Sequence, residues 1–191
     1  MLFFYLLLSL CLATRDITEF NQLALRTGMV FTQPARWEEV PVVKNSQMNY
    51  NYAIKPNGKD FEVRYRIQPL DEMVKKYQEW QKNKPPGSMM LDPNNLYAGM
   101  VMATAANIGG KMPADGKSFP PDAVKRDFGA DKGGVTMVIP IKEFAQNYKY
   151  CFMLTLQKAD RSVAYIFFMA NSQEDLNTYL PVAFTALKYK E

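Results

Sequence analysis

Residues 161–170 read RSVAYIFFMA. Val163, Tyr165 and Phe167 fall on one side of an extended chain, and Ala164, Ile166 and Phe168 on the other. A strand apolar on both faces has to be covered on both faces. The run YCFMLTLQ (150–157) precedes it, and Lys158-Ala159-Asp160 is a connection short enough for an antiparallel hairpin. A third strand is predicted for VTMVIPI (135–141). Downstream, Ser172 and Asp175 form the capping pair of a closing helix with Leu176, Tyr179, Leu180, Ala183, Phe184 and Leu187 as its apolar stripe. Pro181 lies inside that stripe and is expected to kink it.

Working back toward the N-terminus, QMNYNYAI (47–54) and FEVRYRI (61–67) alternate with period two. Met48, Tyr50, Tyr52 and Ile54 are predicted to share one face, while Phe61, Val63, Tyr65 and Ile67 point inward and Glu62, Arg64 and Arg66 point out. Residues 55–60, KPNGKD, supply the turn, so the pair reads as a half-buried hairpin. Before it come a short helix at 16–27, capped by Asp16 and ended by Gly28, a brief strand at Met29-Val30-Phe31 and a turn at 33–37. After it a helix is predicted at 71–82 on Met73, Val74, Tyr77 and Trp80, broken by KNKPPG (82–87). Asp92 and Pro93 open a further helix that runs to Ile108 before Gly109-Gly110, with Gly99, Ala103 and Ala106 on its packing side. These elements add up to an α+β fold, a mainly antiparallel sheet with helices on both faces: an α/β/α sandwich.

The order of these elements is similar to the Mog1/PsbP-like fold. The likeness covers about residues 28–190. It rests on the opening strand and aromatic turn (Val30-Phe31, then Pro34-Ala35-Arg36-Trp37), the hairpin after it, the two-sided hairpin at 150–170, and the closing run Phe184-Thr185-Ala186-Leu187-Lys188-Tyr189. Members of this fold are mostly non-catalytic, so the resemblance implies an accessory or binding role. It carries no functional residue over, and the long 83–134 insert departs from the compact pattern.

With 191 residues, 48% hydrophobic and 22% charged, the chain can bury a core as one domain. Its net charge of +4 is spread along the sequence, which argues against nucleic acid as a partner. Residues 1–13, MLFFYLLLSLCLA, are uncharged and apolar but shorter than the roughly 20 residues a membrane span needs. They read as a signal peptide cleaved after Ala13, with no Lys or Arg ahead of the core. The alternative is a lipoprotein signal with Cys11 as the acylated residue, anchoring the protein to the envelope, and a buried N-terminal segment is the third reading. The organisation expected is signal 1–13, N-terminal helix 14–28 and a single domain 29–191.

Several motifs dissolve on counting. GGKMPADGKS (109–118) separates Gly110 from Gly116 by one residue too many for a phosphate loop, and Pro113 interrupts it. Asp127-Phe128-Gly129 echoes a kinase triplet in a chain with no histidine. The Asp127/Asp131 spacing fails a calcium loop, because Lys132 and Val138 stand where glycine and glutamate are needed. The absence of histidine removes Ser-His-Asp and Cys-His machinery and the usual zinc and haem ligands. Cys151 reads as a buried, inert thiol. Met89, Met90, Met100, Met102 and Met112 cluster in sequence; core filling is the ordinary role of such residues, with Met89 and Met90 the two expected on the surface.

These readings converge on an exported, non-enzymatic protein without a cofactor, binding an unknown protein or small ligand. Its rivals are a histidine-free hydrolase with paired carboxylates and the lipid-anchored envelope protein. The expected working surface is the Gly/Pro-rich loop 109–134 with its cations Lys111, Lys117, Lys125, Arg126 and Lys132.

Overall fold

A computed structural model describes residues 17–113 and 115–190. The expectations for residues 1–16, including the signal segment, Cys11 and the Asp16 cap, lie outside that range. In chain order the elements are helix α1 (17–26), β1 (Met29–Phe31), β2 (Trp37–Glu39), β3 (Tyr52–Pro56), β4 (Phe61–Pro69) and α2 (Asp71–Asn83). Helix α3 (Tyr97–Gly109), β5 (Gly116–Ser118), α4 (Pro121–Phe128), β6 (Lys132–Val138) and α5 (Lys142–Ala145) come next. The chain then runs through β7 (Tyr150–Lys158), β8 (Ser162–Ala170), α6 (Gln173–Ala183) and β9 (Leu187–Tyr189).

The stretch 161–170 is the spine of this architecture. Strand β8 is buried at all nine positions. It pairs antiparallel with β7 across the predicted hairpin and with β4 on its other side. The seven-stranded sheet has the order β2-β3-β4-β8-β7-β6-β5, all antiparallel, so β2 and β5 are its edges. Ala164, Ile166, Phe168 and Ala170 enter one apolar cluster together with Phe20 of α1, Val124 and Phe128 of α4 and Leu176 and Ala183 of α6. Val163, Tyr165, Phe167 and Met169 enter a second with Val74 of α2, Ala105 and Ile108 of α3 and Phe144 of α5. The α/β/α sandwich follows directly from period-two burial on both faces of one strand.

Four expectations are corrected. First, β4 is not half-buried: Glu62 and Arg64 turn toward the α5 layer, with 9% and 1% of their surface exposed. Arg64 is tolerated there because Glu62 Oε1 accepts from its Nε at 2.6 Å, Gln146 Oε1 accepts from Nη2 at 3.3 Å, and the Phe144 carbonyl accepts from Nη1. The Tyr50 and Phe144 rings stand 5.2 and 5.1 Å from the guanidinium. Second, only Tyr52–Pro56 of the first hairpin arm is strand. Residues ahead of it are folded around Asn45, whose Oδ1 accepts from the Gln47 and Met48 amides, and Met48 packs into the second cluster while Tyr52 and Ile54 pack into the first.

Third, Asp92 caps a single 3₁₀ turn at Pro93–Asn95, and α3 begins only at Tyr97. Its buried side is Thr104, Ala105 and Ile108, whereas Gly99 has nothing within 4 Å of where a Cβ would sit. The small-residue stripe faces outward. Fourth, the closing helix ends at Ala183, and Leu187 belongs to β9. Leu187 and Tyr189 are buried and Lys188 is exposed, a period-two pattern that pairs β9 antiparallel with β1, Met29 opposite Tyr189. The Tyr189 hydroxyl sits 2.9 Å from Ser162 Oγ and donates to the Ser162 carbonyl at 2.8 Å, which ties this small ladder to the end of β8.

Candidate partner-binding edge of the sheet

The 109–134 segment is not a single loop. Gly110 takes the left-handed conformation (φ 69°) that ends α3, β5 follows at Gly116–Ser118, and α4 runs from Pro121 to Phe128. Gly129 (φ 61°) stops α4, its N–H donating to Lys125 O, and β6 starts at Lys132. Pro120 and Pro121 suit a helix start, because N–H groups there have no intrahelical partner. Lys117-Ser118 therefore sits on a strand and not at the opening of a helix.

Strand β5 is three residues long, exposed at every position and paired with β6 as Gly116↔Thr136, Lys117↔Val135 and Ser118↔Gly134. The register assigns each side chain to a face. Val135 packs against the first cluster, and Phe119 packs beside Phe128 and Phe184 there. Lys117 shares their parity, so its side chain stands on the α4 face. Gly116 and Ser118 stand on the α3 face with Thr136, Gly134 and Thr155. Between that face and α3 runs a groove of about 210 Å³, walled by Ala98, Val101 and Met102 and by the β5–β6 backbone. Its floor is polar but neutral: Tyr97 Oη lies 2.8 Å from Thr155 Oγ1, and burial pushes the Tyr97 phenol up to about 12. Close approach of β5 to β6 needs Gly134, where a Cβ would stand 2.7 Å from Lys117 O.

The five cations named from the sequence divide between the faces. Lys117, Lys125 and Arg126 lie on the α4 side. Lys132 has the parity of Thr136 and points to the α3 side, donating to Asn94 O at 3.2 Å. Lys111 sits in the connection between α3 and β5. Arg126 holds both oxygens of Asp127, at 2.8 and 3.0 Å, and lines a cleft of about 270 Å³ with Lys188 and Lys190 of the β9 end. Lys188 and Lys190 were not among the sequence candidates. The packing of β9 against α4 brings them beside Arg126.

Several other acids are engaged elsewhere. Glu62 meets Arg64, Asp131 meets Lys158 at 3.5 Å and the Ala159 amide at 2.8 Å, Glu38 meets Lys55, and Asp175 closes the Ser172 cap. Neither the α3–β5 groove nor the α4–β9 cleft is lined by two carboxylates. Cys151 is fully buried, and burial pushes its thiol up to about 12. Met89 is 87% exposed, and Met90 and Met112 are exposed as well.

No protein-family model matches the chain, and no curated protein matches it. Among solved structures the chain is similar to the solution structure of cyanobacterial PsbP (CyanoP) from Synechocystis sp. PCC 6803. The TM-score is 0.46 and the identity 11%, over 86% of this chain and 88% of that one.

Proposed function

We propose that this chain is an exported, non-enzymatic accessory protein of the cell envelope that captures a protein partner along the β5 edge of its sheet. The observation that carries this reading is the edge itself. Strand β5 ends the seven-stranded sheet, is exposed at all three residues, and has Lys117, Lys125 and Arg126 on its α4 side. An exposed strand edge offers unpaired backbone groups to another chain, and neighbouring charge gives that contact direction. The non-enzymatic part is supported by the lack of histidine and by the burial of the one described thiol. Export is supported by the uncharged apolar run 1–13; none of the described helices is long and apolar enough to cross a membrane.

The test is affinity capture from the native envelope with the parent chain and a Lys117→Glu/Arg126→Glu variant. Loss of a reproducible partner in the variant supports the reading, and unchanged capture overturns it. Mass spectrometry of the mature N-terminus tests export separately: a free Thr14 is expected, and an acylated Cys11 would make the protein lipid-anchored.

A further inference from the structure

The mode of capture can be read from the strand parity, resting on the function proposed above. The Phe119 amide donates to Gly133 O at 2.9 Å, so Phe119 turns its N–H toward β6. Successive residues of a strand direct their backbone groups to opposite sides. Lys117 therefore also faces β6, and Gly116 and Ser118 turn their N–H and C=O groups to the free edge. Among the described residues nothing bonds those outward groups. The opposite edge is guarded: in β2 the Trp37 amide donates to Pro34 O, and the Trp37 carbonyl accepts from Gln33 Nε2 at 2.6 Å.

We infer that β5 receives an extended segment of a protein partner as an added antiparallel or parallel strand, in which small apolar residues alternate with aspartate or glutamate. The alternation follows from the two faces. Side chains of the incoming strand that lie beside Gly116 and Ser118 point to the α3 side, where the groove is neutral and walled by Ala98, Val101 and Met102. Those that lie beside Lys117 point to the α4 side, where an acid meets the ammonium group and a base meets repulsion. Strand addition of this kind takes its affinity from backbone hydrogen bonds and its selectivity from alternate side chains. A second copy of this chain is a poor occupant, because two β5 strands paired about Lys117 would set two lysines directly opposite one another. Pro120 has no N–H and ends the usable edge at Ser118.

The test uses the full chain, isotope-labelled, with a short synthetic peptide alternating valine and aspartate and a valine–lysine peptide as control. Amide hydrogen exchange at Gly116 and Ser118 is expected to slow with the aspartate peptide, while Lys117, already bonded to β6, stays unchanged. Lys117→Glu is expected to weaken the aspartate peptide about fivefold, the size of one cross-strand charge pair, and to favour the lysine peptide. No protection at Gly116 and Ser118, or protection indifferent to Lys117→Glu, overturns the inference. A Lys117→Thr chain that dimerises in sedimentation while keeping the parent's affinity for the aspartate peptide also overturns it, since Lys117 would then only guard the edge. The two readings fail separately. Partner capture lost in Lys117→Glu/Arg126→Glu without peptide protection removes strand addition and leaves the function. Peptide protection with unchanged capture supports strand addition and removes the function proposed above.

Discussion

Arg64 Nε donates to Glu62 Oε1 at 2.6 Å, two positions apart on one strand, where Arg64 keeps 1% of its surface exposed. The pair lies under α5, so the guanidinium bonds to the main chain and side chains of a segment about 80 positions away. Arg64→Ala would strand the Glu62 charge and leave the Phe144 carbonyl without its donor. It is expected to cost about 3–5 kcal/mol, read as a lower urea midpoint at unchanged m-value. Replacing Glu62 and Arg64 together by leucine and methionine should cost less than Arg64→Ala alone, because no buried charge is left unpaired.

Alkaline pH should unfold this protein from a defined starting point. Burial raises the Cys151 thiol from 9.0 to about 12 and the Tyr97 phenol from 10.0 to about 12, and it raises Tyr65, Tyr148 and Tyr189 as well. A group whose folded pKa is raised stabilises fully below its unfolded pKa, and that contribution is lost as pH climbs toward the folded value. Stability from these groups should thus be level below about pH 9 and fall above it. Cys151→Ala should delay the onset of that fall in pH-dependent chemical denaturation. Native-state alkylation of Cys151 should be slow and become fast on unfolding.

Gly129 faces two demands at once. Its φ of 61° is left-handed, and a Cβ there would stand 2.8 Å from the Tyr189 carbonyl oxygen. Gly58 shares the left-handed conformation (φ 66°) but has open space around it. Gly129→Ala should cost more than Gly58→Ala, whose loss is the backbone contribution alone, about 1 kcal/mol. Paired thermal melts measure the difference, which reports the packing of α4 against β9.

Tyr189→Phe removes a hydroxyl that reaches both Oγ and O of Ser162, in a place where Ser162 is fully buried. The expected loss is about 1–3 kcal/mol, since the serine is left short of a partner. Hydrogen exchange in β1 and β9 should rise more than in β7, which checks that the loss is local.

The two-sided strand at 161–170 and the Ser172–Asp175 cap were legible because their determinants are local: a period of two in one case, three residues of spacing in the other. Arg64 reads as exposed for the opposite reason. In FEVRYRI the charges alternate as on a wetted face, and what makes burial tolerable is the Phe144 carbonyl and the Gln146 side chain, far away in sequence. β9 reads as the continuation of a helix because three residues carry too little pattern to outweigh an adjoining stripe, and its partner strand at Met29 is far away in sequence. The candidate surface was legible in its residues and not in its shape. Lys117, Lys125 and Arg126 could be named from a basic, glycine-punctuated run. That β5 is an edge, and which way Lys117 faces, depends on register with β6.

The ladder between Met29–Phe31 and Leu187–Tyr189 sets a timetable for folding. A chain made from its N-terminus produces β1 early and holds it without a partner until residues 187–189 emerge. Lys190 then donates from its amide to the Gly28 carbonyl at 2.8 Å, closing the seam. Residues 187–190 act as a clasp on the segment 28–31, which leaves the sequence-distant β1 without a partner until they are in place.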